Sequence, residues 1–146
     1  MWALGDDGLV YRLNTADLTV LEIDVGDRVS SISAGDGSLW ALSASTGSLR
    51  RLDVVTGAVL ATVPVGEGAI DLAFSHGVAW VLLGRRAALV EVDAATNAVV
   101  TRTALGPSPT ALHPTDFGVF VTFADNAGLL AVSSSEVIES VTGEGQ

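Results

Sequence analysis

Short segments of alternating apolar and polar residues recur along the whole chain and are separated by turn residues. The turns are rich in Gly, Asp, Asn, Ser and Thr, as tight antiparallel hairpins require. In the turns 53–57 and 93–97 the leading Asp is placed to cap the backbone, and the closing Gly or Asn tolerates a positive φ. No useful length of chain has a helical period. The pattern predicts an all-β protein, with strands in its middle part at 69–74, 78–82, 88–92 and 98–103.

An aromatic residue and a glycine mark each unit of a repeat of about 40 residues. The aromatic residues are spaced by 38, 40 and 40 residues, and each glycine lies 14 residues before the next aromatic residue. These positions are Trp2, Trp40, Trp80 and Phe120, and Gly26, Gly66 and Gly106. Four short antiparallel strands in each unit are typical of a β-propeller blade. We therefore predict a β-propeller built from four-stranded antiparallel blades.

The phase of the repeat predicts how the blades divide the chain. With strands a (innermost) to d (outermost) and the aromatic residue on strand b, residues 1–26 form an incomplete blade without strand a. Complete blades follow at 27–66, 67–106 and 107–146, so the single domain holds about 3.75 blades. Three arrangements stay open: an excerpt of a longer propeller, a ring of about eight blades closed by a second copy, or a four-bladed ring that closes alone. A half-open array would expose blade edges and faces, and the first two arrangements are favoured over the third because the curvature of a four-bladed ring usually goes with longer blades.

The segment LWALSASTGSLRRLDVVTGAVLATVPVG, residues 39–66, resembles the bacterial propeller repeats of the YVTN and virginiamycin B lyase-like type. Those blades read V-W-V, a short loop, V-x-R-I-D-x-x-T-G-x-V and a closing I-x-V-G. The resemblance covers nearly all 146 residues and implies a propeller. It implies no single function, because such blades occur in binding proteins, sensor domains and a few enzymes. In virginiamycin B lyases a channel-mouth His, acidic residues and Mg²⁺ perform an elimination, and no matching His cluster lets those roles be transferred here.

Composition excludes several classes of function. The chain carries 17 acidic residues against seven arginines and no lysine, a net charge of −10, so it has no basic stripe for nucleic acid. It has no cysteine, which excludes disulfides, thiolate metal sites and a Cys nucleophile. No apolar run approaches a bilayer span, so we expect no membrane insertion. The lack of lysine is typical of a GC-rich bacterial genome, and a Cys-free acidic domain suits an extracytoplasmic or secreted location.

Candidate catalytic and metal-binding residues are few. His76 is interpreted as a residue of the turn between strands a and b, and His113 lies near the end of an innermost strand. The acidic clusters at 6–7 and 22–27 lack the ligand spacing of a calcium loop. The recurring aromatic residues are interpreted as packing between blades. We therefore predict no catalytic residue, no metal site and no cofactor.

The loops of a propeller nevertheless indicate where a partner would bind. Strand direction alternates, so the b–c and d–a loops emerge together on one face around the channel mouth. Arg85 and Arg86 are the one paired positive charge there, suited to a carboxylate, an acidic partner or simple salt bridges. Asp71, in an innermost strand, is expected to line the channel with water. The predicted ligand-binding residues are Asp27, Arg28, Glu67, Asp71, Arg85, Arg86 and Asp125.

These observations favour a non-enzymatic propeller scaffold that binds a protein or a ligand. It would be part of a larger propeller or be completed by self-association, so the expected partner is another protein, the remaining blades or a second copy. One alternative is a propeller lyase or hydrolase with a site at the channel mouth around His113, Asp71 and Glu67. Another is a structural assembly subunit whose open blade edges are the interface.

Overall fold

A computed structural model describes residues 1–25, 28–35, 37–105, 108–116, 118–124, 129–133 and 136–141. Within these ranges the chain forms strands and turns but no helix. Four antiparallel sheets follow one another along the chain, and we call them blades 1 to 4. No helix among the described residues is long and apolar enough to cross a bilayer. The prediction of an all-β protein is confirmed.

Each blade is a meander in which consecutive strands pair. Blade 1 contains β1 (Trp2–Leu4), β2 (Val10–Leu13) and β3 (Val20–Ile23). Blade 2 contains β4 (Ser31–Gly35), β5 (Ser38–Ser43), β6 (Ser48–Asp53) and β7 (Val59–Pro64). Blade 3 contains β8 (Ala69–Ser75), β9 (Val78–Leu83), β10 (Ala88–Asp93) and β11 (Ala98–Ala104). Blade 4 contains β12 (Pro109–Pro114), β13 (Val119–Phe123), β14 (Leu129–Ser133) and β15 (Glu136–Val141). The four strands predicted in blade 3 match the observed ones to within one residue at each end.

The core consists of apolar layers between neighbouring blades. Blades 1 and 2 bury Val10 and Ile23 against Leu39 and Leu52. Between blades 2 and 3 the layer is built around Trp40, and between blades 3 and 4 around Trp80. Trp40 is 0% exposed and Trp80 is 1% exposed, which confirms that these recurring aromatic residues pack between blades. Their burial removes apolar surface from water and joins each blade to the next.

A stack of side chains joins blades 2 and 3. The ring of Phe74 lies 6.1 Å from that of Trp40 at an interplanar angle of 21°. On Trp40, the guanidinium carbon of Arg51 lies 5.3 Å from the ring centroid, within the range of a cation–π contact. Gly35 is required beside this stack, because a Cβ there would overlap the ring of Phe74.

Arginines on strand c of a blade, which is β2 in blade 1 and β6 in blade 2, also bind a turn of the following blade. Arg51 donates to the carbonyl of Ala94 and, at 3.0 Å, to Oδ1 of Asn97. Arg12, at the same position of blade 1, donates to the carbonyls of Val54 and Val55. These bonds link successive blades on the side opposite the b–c loops.

The turns between the third and fourth strands are capped as the sequence predicts. In blade 2, Oδ1 of Asp53 accepts the N–H groups of Val55 at 2.7 Å and Thr56 at 3.1 Å, and Gly57 has a φ of 75°. In blade 3, Oδ1 of Asp93 accepts the N–H of Ala95 at 2.9 Å, and Asn97 has a φ of 55°. Both Asp residues satisfy backbone donors that the strands leave unpaired.

Candidate functional site

The b–c and d–a loops of blades 1 to 3 lie on one face of the described structure, because each of these b–c loops accepts a hydrogen bond from the d–a segment beside it. Two of these bonds are equivalent in the repeat, from Val65 N to Gly47 O at 2.9 Å and from Leu105 N to Ala87 O at 2.7 Å, and in blade 1 the bond runs from Val29 N to Gly8 O at 2.8 Å. We call this surface, formed by residues 5–9, 28–30, 44–47, 65–68 and 84–87, the loop face. The repeated bond makes it a regular, well-supported platform.

Two clefts open on the loop face at the junction of blades 1 and 2. The larger has a volume of about 470 Å³ and lies between the 5–8 loop, residues 28–30 and the 44–45 turn. The smaller has a volume of about 240 Å³ and lies between residues 7–10 and 23–25. Gly8 and Arg28 line both clefts. The side chain of Arg28 therefore stands between them and can reach a ligand in either one.

Local contacts hold Arg28 in this position. Its Nη2 donates to the carbonyl of Asp6 at 2.9 Å. Its aliphatic part packs on Gly8, where a Cβ would overlap Arg28 Cγ. Gly8 also has a φ of 80°, a left-handed conformation that glycine adopts at low cost. A guanidinium has five N–H donors, so the bond to Asp6 leaves others available to a ligand.

Hydroxyl groups tie the walls of the larger cleft together. Ser43 Oγ donates to the carbonyl of Arg28 at 2.8 Å. Ser30 Oγ donates to the carbonyl of Leu42 at 3.0 Å and accepts the N–H of Ala44 at 3.1 Å. These bonds hold the backbone around Arg28 against blade 2. Sequence reasoning missed Ser30 and Ser43, because a serine in a β protein carries no distinctive signal.

Asp7 shapes the smaller cleft. Its Oδ1 accepts the N–H of Leu9 at 3.0 Å and its Oδ2 accepts the hydroxyl of Tyr11 at 2.8 Å. The bond from Leu9, followed by the bond from Tyr11, lowers the pKa of Asp7 below its ordinary value of 3.8. The same carboxylate raises the pKa of Tyr11 above 10.0. The surroundings of Arg28 thus include a carboxylate that stays ionised at neutral pH.

The other predicted ligand-binding residues lie at several places. Glu67 is exposed in the loop between blades 2 and 3, and Arg85 and Arg86 are exposed in the b–c loop of blade 3. These two loops touch, because Gly84 N donates to Gly68 O at 3.0 Å. Asp27 and Asp125 lie outside the described residues. Arg28, Glu67, Arg85 and Arg86 therefore share the loop face, with Arg28 at the junction of blades 1 and 2 and the other three at the junction of blades 2 and 3.

Asp71 joins two blades. It is half-buried on β8, beside a bulge in the pairing of β8 with β9. Its Oδ2 accepts the N–H of Leu112 on β12 at 2.8 Å, and its Oδ1 accepts the N–H of Leu72 at 2.9 Å. The carboxylate links the innermost strands of blades 3 and 4, which the sequence did not indicate.

The two histidines lie in different blades, His76 in a turn of blade 3 and His113 on a strand of blade 4. His76 is exposed in the turn between β8 and β9 with a φ of 50°, and its Nδ1 lies 2.9 Å from Ser75 Oγ, which confirms its interpretation as a turn residue. His113 is exposed on β12, opposite Phe120 in the strand register. Within the ranges listed above, no group of three His, Asp or Glu side chains could hold a metal ion.

Comparison with known proteins identifies the fold class. The chain matches hydrazine synthase of Kuenenia stuttgartiensis with a TM-score of 0.75 at 14% identity, over 92% of this chain and 43% of that one. It matches apo AztD of Citrobacter koseri with a TM-score of 0.71 at 12% identity, over 94% of this chain and 42% of that one. The WD40 repeats of RRP9 give 0.71 at 13% identity, over 88% and 43%.

These structural similarities define the fold of the chain but not its function. The chain is a partial β-propeller of about three to four blades. It spans less than half the length of the solved structures described above. No family model and no curated protein matches it.

Proposed function

We propose that the protein is a non-enzymatic β-propeller scaffold that binds a ligand or a partner protein through the loop face. The observation that carries this proposal is the position of Arg28, which stands between two clefts on that face. Both walls of the larger cleft are fixed by hydrogen bonds. A site on rigid loops loses little conformational entropy on binding.

The chemistry of the site favours a carboxylate as the recognised group. A guanidinium presents a planar fork of N–H donors that fits a carboxylate or a phosphate. The chain carries a net charge of −10, so a highly charged anion is repelled by the protein as a whole. A ligand with one or two carboxylates, such as a small organic acid or an acidic side chain of a partner, suits a single arginine beside Asp7.

A protein partner would extend along the same face. Arg85 and Arg86 offer exposed positive charge at the next junction, beside the loop that holds Glu67. Among the described residues, neither arginine has a hydrogen bond or an ion pair from its side chain. Asp27 and Asp125 lie outside the described residues and remain part of the proposed binding surface.

We also propose a repeat family for the chain and a way in which its propeller is completed. The segment 39–66 supports membership in the YVTN and virginiamycin B lyase-like repeat group, since its Arg51, Asp53 and Gly57 occupy the positions that this blade pattern requires. Because about three to four blades rarely close a ring, we include completion by further blades or by self-association in the proposal.

A titration with succinate tests carboxylate recognition at Arg28. We expect the backbone amide resonances of Gly5, Gly8, Val29 and Ser45 to shift with an affinity on the order of 1 mM. Arg28→Gln keeps the length and polarity of the side chain but removes its charge, and should weaken this binding at least tenfold.

Arg85→Gln is the matched control, because it removes an equally exposed arginine from a loop outside both clefts. It should leave the succinate shifts unchanged. Shifts centred on residues 84–87, or an unaltered affinity in the Arg28→Gln variant, would contradict the proposed role of Arg28.

A further inference from the structure

One face of blade 1 is built like the interior of the protein but is not covered by it. Residues that are direct partners in the register lie on the same side of a sheet, so Met1, Ala3, Leu13 and Val20 share this face, with Tyr11 and Glu22 at its outer end. We call it the open face. Met1 is 71% exposed and Val20 is 63% exposed, and Ala3 is also exposed.

The repeat shows what this face is made for. Met1, Ala3 and Leu13 occupy the positions that Leu39, Ala41 and Leu52 hold in blade 2. Those three residues of blade 2 are at most 1% exposed, because blade 1 packs on them. Their counterparts in blades 3 and 4 are buried in the same manner. The open face is therefore the surface that receives a preceding blade.

The matching surface is the aromatic face of a blade. Trp40 covers the receiving face of blade 3, and Trp80 covers that of blade 4. Blade 4 carries Phe120 at the equivalent position, and Phe120 is half-buried where the two tryptophans are almost inaccessible. The chain thus has a receiving face on blade 1 and an aromatic face on blade 4, the two halves of one more blade junction.

We infer that a second copy of this chain covers the open face, with the aromatic face of its blade 4 packed on blade 1. The chain covers 42% of one propeller structure that it matches and 43% of two others, so two copies supply about the length of one such structure. A two-fold axis forms the same junction twice. This inference deepens the proposed function, since it names the partner that completes the propeller.

The test is the mass of the protein in solution, measured by light scattering at about 0.3 M salt, which screens the net charge of −10. We expect twice 14.9 kDa for the wild type. Ala3→Glu combined with Val20→Glu places two carboxylates on the open face and should give a monomer. Val100→Glu is the matched control, because Val100 is 52% exposed on the outer strand of blade 3, away from both faces. It should remain a dimer.

Three results would overturn the inference: a wild-type monomer at about 100 μM, a mass above that of a dimer, or a dimer that survives the double substitution. Circular dichroism of the double variant establishes that it is folded, and both substituted side chains are exposed, so its fold should persist. The succinate titration of the monomeric variant separates the two proposals. If the wild type is a monomer and succinate still shifts the resonances around Arg28, the binding function stands and the second copy is rejected.

Discussion

Blades 1 and 3 are built from the same repeat but differ in how well they are covered. Blade 3 lies between two blades, and Trp80, Val81 and Leu82 on its second strand are at most 1% exposed. Blade 1 packs on blade 2 with one face, and its Trp2 is half-buried while Ala3 is exposed. We therefore expect the packing of neighbouring blades, and not the sequence of a blade alone, to decide how stable that blade is.

The largest expected effect comes from truncating the aromatic residue in each of these blades. Trp80→Ala should lower the free energy of unfolding by about 3–5 kcal/mol, because it removes buried surface and leaves a cavity between blades 3 and 4. Trp2→Ala should cost about 1–2 kcal/mol, since Trp2 is only partly buried against blade 2. Urea unfolding followed by circular dichroism measures both values.

Trp80→Phe is the control for this comparison. The repeat itself uses Phe120 at this position, and within the described residues the indole N–H of Trp80 has no acceptor. Replacing it with Phe should therefore cost less than half of the loss caused by Ala. Equal losses for Trp2→Ala and Trp80→Ala would mean that covering by neighbours does not decide the stability of a blade.

A second comparison concerns the residue that closes the b–c loops. Gly47 has a φ of 66°, and a Cβ there would lie 2.8 Å from the backbone of Gly66. Gly47→Ala should cost about 2–3 kcal/mol from left-handed strain and this overlap. Ala87 holds the equivalent place in blade 3 with a φ of 48°, so Ala87→Gly should change stability by less than about 1 kcal/mol. Thermal unfolding tests the pair, and a neutral Gly47→Ala would contradict the close approach.

A substitution in the turn between β2 and β3 is expected to raise the free energy of unfolding by a small amount. Leu18 has a φ of 61° where blade 2 has Gly57 and blade 3 has Asn97. Leu18 is 75% exposed, so Leu18→Asn relieves strain without losing packing and should stabilise by about 0.5–1 kcal/mol. Val55→Asn, the same kind of change at an exposed turn residue without positive φ, should give no gain in melting temperature.

The smallest effect is on the acid sensitivity of blade 1. Hydrogen bonds from Leu9 and Tyr11 lower the pKa of Asp7 below 3.8, and bonds from the hydroxyl and then the N–H of Thr19 lower that of Asp17. Because the folded state prefers both carboxylates ionised, their stabilisation is present above pH 3.8 and is lost as the pH falls through their lowered pKa values.

In the double variant Asp7→Asn, Asp17→Asn, the free energy of unfolding should therefore fall less steeply as the pH is lowered than it does in the wild type. Acid titrations followed by circular dichroism measure this slope. Asp53→Asn, in the turn of blade 2 where the pKa is also lowered, should remove a smaller part of the acid dependence. An unchanged slope in the double variant would show that these carboxylates do not contribute.

The fold was predictable from the sequence because each strand signal is local and is repeated. The apolar alternation located the strands of blade 3, and the spacing of Trp40 and Trp80 revealed the junctions. Asp53 and Asp93 cap turns that lie within three residues of them. Signals of this kind depend on neighbours in the chain, so they can be read without the three-dimensional structure.

The contacts between blades were not predictable in the same way. The carboxylate of Asp71 binds an amide 41 residues away, and Arg51 reaches the carbonyl of Ala94 43 residues away. The repeat does contain one usable signal, because Arg12 and Arg51 occupy equivalent positions and bind equivalent turns. At the candidate site, the sequence predicted that Arg28 lies among the b–c and d–a loops, but the clefts beside it depend on how its side chain packs on Gly8.

Amide hydrogen exchange of β1 and β9 at two protein concentrations measures how far each blade is protected by the blades beside it. In dilute protein, the amide of Ala3, which is paired with Tyr11, should exchange faster than those of Trp80 and Val81, because blade 1 is covered on one face. At high concentration the amides of β1 should gain protection as the second copy covers the open face. Equal protection of the two strands at both concentrations would contradict the account.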